Sequence, residues 1–83
     1  MKVTVRYFAS LRESLGCASE TLQTQAATVG ALRDELIARG GAYAQALARG
    51  RAVRAAVDQV MADEGVALRA DCEVAFFPPV TGG

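Results

Sequence analysis

The chain has no histidine and no tryptophan, one lysine, two cysteines and two prolines in 83 residues. The absence of histidine removes the commonest general base near neutral pH. Without histidine or a Cys-x-x-Cys pair, a zinc site has no ligand set, and no bound cofactor is expected. Cys17 and Cys72 are expected to be free thiols in a reducing compartment. No run of about 18 apolar residues exists that could span a membrane. Charge of either sign is not in excess, with nine basic and nine acidic residues. That balance argues against a nucleic-acid binder, which needs a phosphate-facing surplus. The opening "MKVTVRYF" alternates polar and apolar residues and does not read as a signal peptide, so a cytoplasmic location is expected.

Hydrophobic residues make up 52% of the composition. That suffices for one modest core, and residues 1–83 read as a single domain. "KVTVRYFA" has period two and predicts a strand with Val3, Val5 and Tyr7 on one face. Thr4, Arg6 and Phe8 take the other. "SLRESLGC" reads as a polar connection with Gly16 in a turn. "SETLQTQ" predicts a second strand, paired with the first.

The period then changes. In "ATVGALRDELIARGG", Val29, Leu32, Leu36 and Ile37 recur at helical spacing, with Thr28 as N-cap and Gly40 or Gly41 as stop. "AYAQALA" adds a short helical turn. "AVRAAVDQ" predicts a third strand and "VMAD" a short fourth, joined by a turn at Asp58 and Gln59. "EGVALRAD" is a loop anchored by Val66 and Leu68. "CEVAFF" is the last strand, stopped by Pro78, which cannot donate to a ladder. This order predicts an α+β fold in which a mixed sheet of four to five strands packs on one main helix.

If Val74 and Phe76 face the helix, Phe77 faces out, as Phe8 does, and Met61 lies on the same side. Single exposed apolar residues are common on any protein. Three together, on the sheet that carries the chain's end, favour a partner-binding patch. Arg6 and Arg12 are candidates for its polar rim.

The sequence closes on "FFPPVTGG". Pro78 and Pro79 fix φ and aim the exit away from the body. Four extended residues reach about 13 Å. Val80, Thr81, Gly82 and Gly83 therefore read as a slim, flexible tail, and Gly82 and Gly83 can thread a narrow channel because they lack a Cβ. A terminal carboxylate is a poor electrophile until activated, usually by adenylation with ATP. A sulfur nucleophile can then convert the acyl-adenylate to a thiocarboxylate, which loses its proton more readily than a thiol does.

"AFFPPVTGG", preceded by "DCEV", resembles the C-terminal signature of the small subunits of molybdopterin synthase, a family of ubiquitin-like sulfur carriers. "YFASLRE", "ATVGALRDEL" and "RAAVDQ" are similar to that family in the expected order. The resemblance implies a β-grasp fold. It implies a carrier whose last glycine, Gly83, is adenylated by an E1-like adenylyltransferase and thiocarboxylated with sulfur from a sulfurtransferase. The tail would enter the large subunit of molybdopterin synthase and deliver sulfur to a cyclic pyranopterin precursor, forming the molybdopterin dithiolene. Two carriers would flank a dimer of large subunits, a heterotetramer whose catalytic lysines and arginines belong to the partner. The family's interface maps onto Phe8, Met61 and Phe77, with Arg12 and Pro78 to Thr81 also at the contact. Departures fall at Asp58, where the family has asparagine, and at "RADCEV", where a glycine and an acidic residue are usual. Cys17 and Cys72 read as incidental thiols rather than a sulfur relay. Two alternatives remain open: a sister carrier for thiamine synthesis or tRNA thiolation, and a non-catalytic interaction module.

Overall fold

The computed structural model describes residues 1–79, and Val80, Thr81, Gly82 and Gly83 lie outside the described residues. Strand β1 (Lys2–Tyr7) is an interior strand of a five-stranded sheet. It pairs antiparallel with β2 (Ser19–Gln23) on one side and parallel with β5 (Glu73–Phe77) on the other. Beyond β5 lie β3 (Arg54–Val57) and β4 (Val60–Ala62), both antiparallel to their neighbours. The order β2-β1-β5-β3-β4 makes a mixed sheet, as expected, in the β-grasp arrangement that the resemblance implied.

The period-two pattern places side chains as expected. Val3, Val5 and Tyr7 are fully buried, as are Val74 and Phe76, the partners of Val5 and Tyr7 across the ladder. Against this face lies α2 (Val29–Ile37), whose Val29, Leu32 and Leu36 are buried. Thr28 caps it, its hydroxyl accepting from the Ala31 amide at 3.2 Å. The helix ends at Ile37, short of the expected glycine stop. Gly40 and Gly41 instead take positive φ, 77° and 55°, and turn the chain into α3 (Gly41–Ala46). Asp58 and Gln59 both adopt left-handed φ, 48° and 70°, as a two-residue β3–β4 turn requires. Val66 packs against the core and Leu68 is buried within it, as the loop reading expected.

One expectation is overturned. The segment read as a polar connection is helical: α1 spans Ala9–Leu15. Leu11 and Leu15 stand one turn apart, so a single apolar stripe is enough to dock two turns of helix. Gly16 closes it in the left-handed region at φ 73°, its amide donating to the Arg12 carbonyl at 2.9 Å. Seven residues with two leucines are too short for the period to stand out among their polar neighbours.

A polar cluster locks β2 to the helical layer. Glu20 Oε2 accepts from the Tyr7 hydroxyl at 2.8 Å and the Tyr43 hydroxyl at 2.7 Å, and Oε1 accepts from Arg39 at 2.9 Å. Burial pushes the Glu20 carboxyl up, but the hydrogen bonds from Arg39, Tyr43 and Tyr7 outweigh it and hold the group below its usual range. Burial and the Glu20 carboxylate push the Tyr43 hydroxyl up to about 12, and that of Tyr7 higher still. Both phenols therefore stay protonated and remain donors at neutral pH. Among the described residues, no helix is long and apolar enough to cross a membrane.

Candidate functional site

The last strand decides the geometry of the chain's exit. In β5, Phe76 points into the core and is 1% exposed. Alternation then turns Phe77 to the opposite, helix-free face, where it is half-buried. Pro78 and Pro79 follow and are also half-buried. Pro78 shares a cleft of ≈ 340 Å³ with Ser10, Leu11, Ala46, Arg51, Ala52 and Val53. The root of the tail is thus seated against α1 and the loop that precedes β3.

Phe8 belongs to the same end of the sheet. Its amide donates to the Phe76 carbonyl at 3.2 Å, extending the β1–β5 ladder by one bond. As the extended N-cap of α1 it keeps its ring outside, 39% exposed, with the Arg6 guanidinium 5.3 Å from the ring centroid. Arg6 is also paired with Glu73 at 3.6 Å. Arg12 is exposed on α1.

Met61 is on the same face but not in the same corner. It lies opposite Ala56 on the edge strand; Ala56 pairs with Ala75, and Ala75 with Arg6. One strand, β3, therefore separates the Met61 and Phe77 columns, two spacings or about 10 Å. Between them the outward residues are Ala56 and Ala75, whose methyl groups make a low floor, and Arg54 at the end beside Phe77. Phe8, Phe77 and Met61 are the rims of a shallow apolar depression rather than one contiguous knob. Val60, 68% exposed beside Met61, was not singled out in the sequence. Its β-branched side chain in a three-residue edge strand beside a tight turn was the available signal.

The two thiols stand apart from the exit. Cys72 is buried in the core where β5 begins, and Cys17 is half-buried after α1. The departures from the family pattern are accommodated locally. Asp58 accepts from the Glu73 amide at 2.9 Å and from Arg69 at 3.1 Å, tying the β3–β4 turn to β5. Those hydrogen bonds, the backbone one foremost, hold its carboxyl below the ordinary value. Asp71 takes φ 65°, a conformation that glycine adopts without strain. Its amide donates to the Lys2 carbonyl at 2.7 Å, which helps to hold it there.

Comparison with known proteins fits this geometry. The chain is 37% identical over 81 residues to a molybdopterin synthase sulfur carrier subunit of Haemophilus influenzae, covering 98% of this chain and 99% of that one. It is 40% identical over 81 residues, with the same coverage, to the molybdopterin synthase sulfur carrier subunit of Escherichia coli. Among solved structures, SAMP1 from Haloferax volcanii superposes over all of both chains with a TM-score of 0.78 and 28% identity. The family model that matches is that of the ThiS family, over residues 5–83. With that match and two end-to-end relatives, the chain belongs to the ThiS family.

Proposed function

We propose that this chain is the sulfur-carrier subunit of a molybdopterin synthase, and that the Gly83 carboxylate is its reactive group. The observation that carries this reading is its 37% and 40% identity, over 81 residues, to two proteins so named, in a chain that closes on "FFPPVTGG". An E1-like enzyme adenylates Gly83: a carboxylate oxygen attacks the α-phosphorus of ATP and pyrophosphate leaves. The terminal sulfur of a sulfurtransferase persulfide then displaces AMP, and a second thiol cleaves the resulting acyl disulfide, leaving a thiocarboxylate on Gly83 and a disulfide on the donor. Glycine suits this position because no side chain shields the acyl carbon from either nucleophile. The charged tail enters the large subunit, where the thiocarboxylate sulfur attacks a side-chain carbon of the cyclic pyranopterin monophosphate and an oxygen substituent leaves that carbon as the C–S bond forms. Hydrolysis of the resulting thioester returns Gly83 to its carboxylate for another cycle, and two transfers complete the dithiolene. The carrier contributes no general base; the acid–base groups belong to the large subunit, two copies of which join two carriers. We place the chemistry in the cytoplasm, where ATP is available and Cys17 and Cys72 stay reduced.

Mass spectrometry of the chain from its native host tests this. Replacement of one terminal oxygen by sulfur, and molybdopterin formed with the large subunit and precursor, are the expected results. A thiocarboxylate that yields no molybdopterin points to a sister pathway. Only free acid, with the activating enzyme and a sulfur donor present, leaves an interaction module.

In this reading the depression bounded by Phe8, Phe77 and Met61 receives the large subunit. Phe77 is the anchor because it lies nearest the tail and presents an aromatic face. Phe77→Ala should weaken binding to the large subunit by tenfold or more in calorimetry, roughly the loss of an interface hot spot. Unchanged affinity would remove Phe77 from the interface.

A further inference from the structure

The arginines sort by position. Of eight in the chain, five are ion-paired: Arg6 with Glu73, Arg33 with Glu64, Arg39 with Glu20, Arg49 with Asp34 and Glu64, and Arg69 with Asp58. Arg12, Arg51 and Arg54 have no ion pair among the described residues, and all three are exposed. Each lies at the end of the sheet where β5 leaves. Arg54 is the cross-strand partner of Phe77. Arg51 lines the cleft that seats Pro78, together with Leu11, the residue before Arg12 in α1. Three acidic groups come near; one, Glu64, shares a cleft with Arg54 but is already paired with Arg33 and Arg49, and the other two pair with none of the three arginines. Asp63, just beyond the residue that pairs with Ala55, accepts from the Gly65 amide at 2.9 Å. Glu13 neighbours Arg12 in sequence, about 100° away round the helix. The one lysine, Lys2, begins β1 at the far end of the sheet and stands 3.8 Å from Asp71. Among the described residues, the arginines without an ion pair thus gather around the root of the tail.

We propose that Arg12, Arg51 and Arg54 form a basic collar that docks on carboxylates ringing the mouth of the pocket that receives the tail. This rests on the function proposed above, and its occupant is the large subunit of molybdopterin synthase. The collar is continuous with the Phe8–Phe77 corner, so a partner that covers those rings meets it. The three guanidinium groups come from three elements: α1, the loop before β3, and β3 itself. Separate carboxylates on a protein rim suit that spread better than one phosphate, which needs convergent donors. Charges at an interface rim act mainly on the rate of encounter, and their effect falls with salt.

The test is the association rate with the large subunit, read by stopped flow at low salt and near 1 M salt. Replacing all three with glutamine (Arg12→Gln, Arg51→Gln, Arg54→Gln) should slow association roughly tenfold at low salt, with the difference closing at high salt. Lys2→Gln removes one charge at the far end and should change the rate less than about twofold, a control against an effect of net charge alone. Equal rates for the triple variant and wild type would overturn the collar and leave the carrier function standing. Failure of the wild type to bind the large subunit would overturn both. Saturable binding of ATP to the free carrier, lost in the triple variant, would assign the collar to a phosphate ligand and overturn the docking role.

Discussion

Deletion of Gly83 alone should abolish sulfur transfer and leave the fold untouched. The shortened chain still ends on a glycine carboxylate, so the chemical group survives. Its position does not: one residue removes about 3.5 Å of reach. Misplacing a reacting atom by about 1 Å can already cost on the order of a hundredfold in rate. Activation and transfer both act on the same acyl carbon, so the loss is taken twice. Stability should not follow, because the buried core runs from Val3 to Phe76. Single-turnover molybdopterin formation from a chemically thiocarboxylated chain, alongside a urea titration, separates the two effects. Transfer at the wild-type rate would show that the reactive position is not Gly83. A lowered urea midpoint would show that the tail supports the fold.

That separation between a folded body and a chemical end is what made much of the molecule readable. Strand alternation placed Val3, Val5 and Tyr7 inside because a one-residue slip would expose all three. The same parity put Phe77 outside once Phe76 was inside. Thr28 and the Asp58–Gln59 turn were legible because capping and left-handed φ are local demands. What escaped depends on partners distant in sequence. β1 and β5 pair in parallel across the whole length of the chain, and only that strand order puts β3 between Met61 and Phe77. The sequence placed the three apolar residues on one face correctly but could not show the alanine floor between them. Nor could it distinguish Arg6, held by Glu73 and the Phe8 ring, from the unpaired Arg51 and Arg54.

Arg33 was hidden for the same reason, and its removal carries the largest expected effect on stability. It sits between Leu32 and Leu36 on α2, reads as an ordinary surface arginine, and is only 5% exposed. Its guanidinium donates to three backbone carbonyls: Leu47 at 2.8 Å, Ala48 at 2.7 Å and Arg51 at 3.1 Å. Its fourth contact is Glu64 Oε2 at 2.8 Å. The planar fork thus closes the irregular segment between α3 and β3, which has no ladder to satisfy its own carbonyls. Arg33→Ala would leave the Leu47 and Arg51 carbonyls without a donor, while that of Ala48 keeps the Arg51 amide, and would open a void, costing about 3 kcal/mol or more. In a domain of this size that lowers Tm by roughly 12–24 °C. Arg33→Lys should recover only part, since one ammonium cannot span all four acceptors. Glu64→Gln should cost less, about 1 kcal/mol, because the carbonyl bonds of Arg33 persist. Equal losses for Arg33→Ala and Glu64→Gln would place the stabilisation in the ion pair instead. Because the Arg51 carbonyl is one of the acceptors, loosening this segment also frees one member of the basic collar. Arg33→Ala, studied well below its melting temperature, should therefore associate with the large subunit more slowly although Arg33 itself is buried.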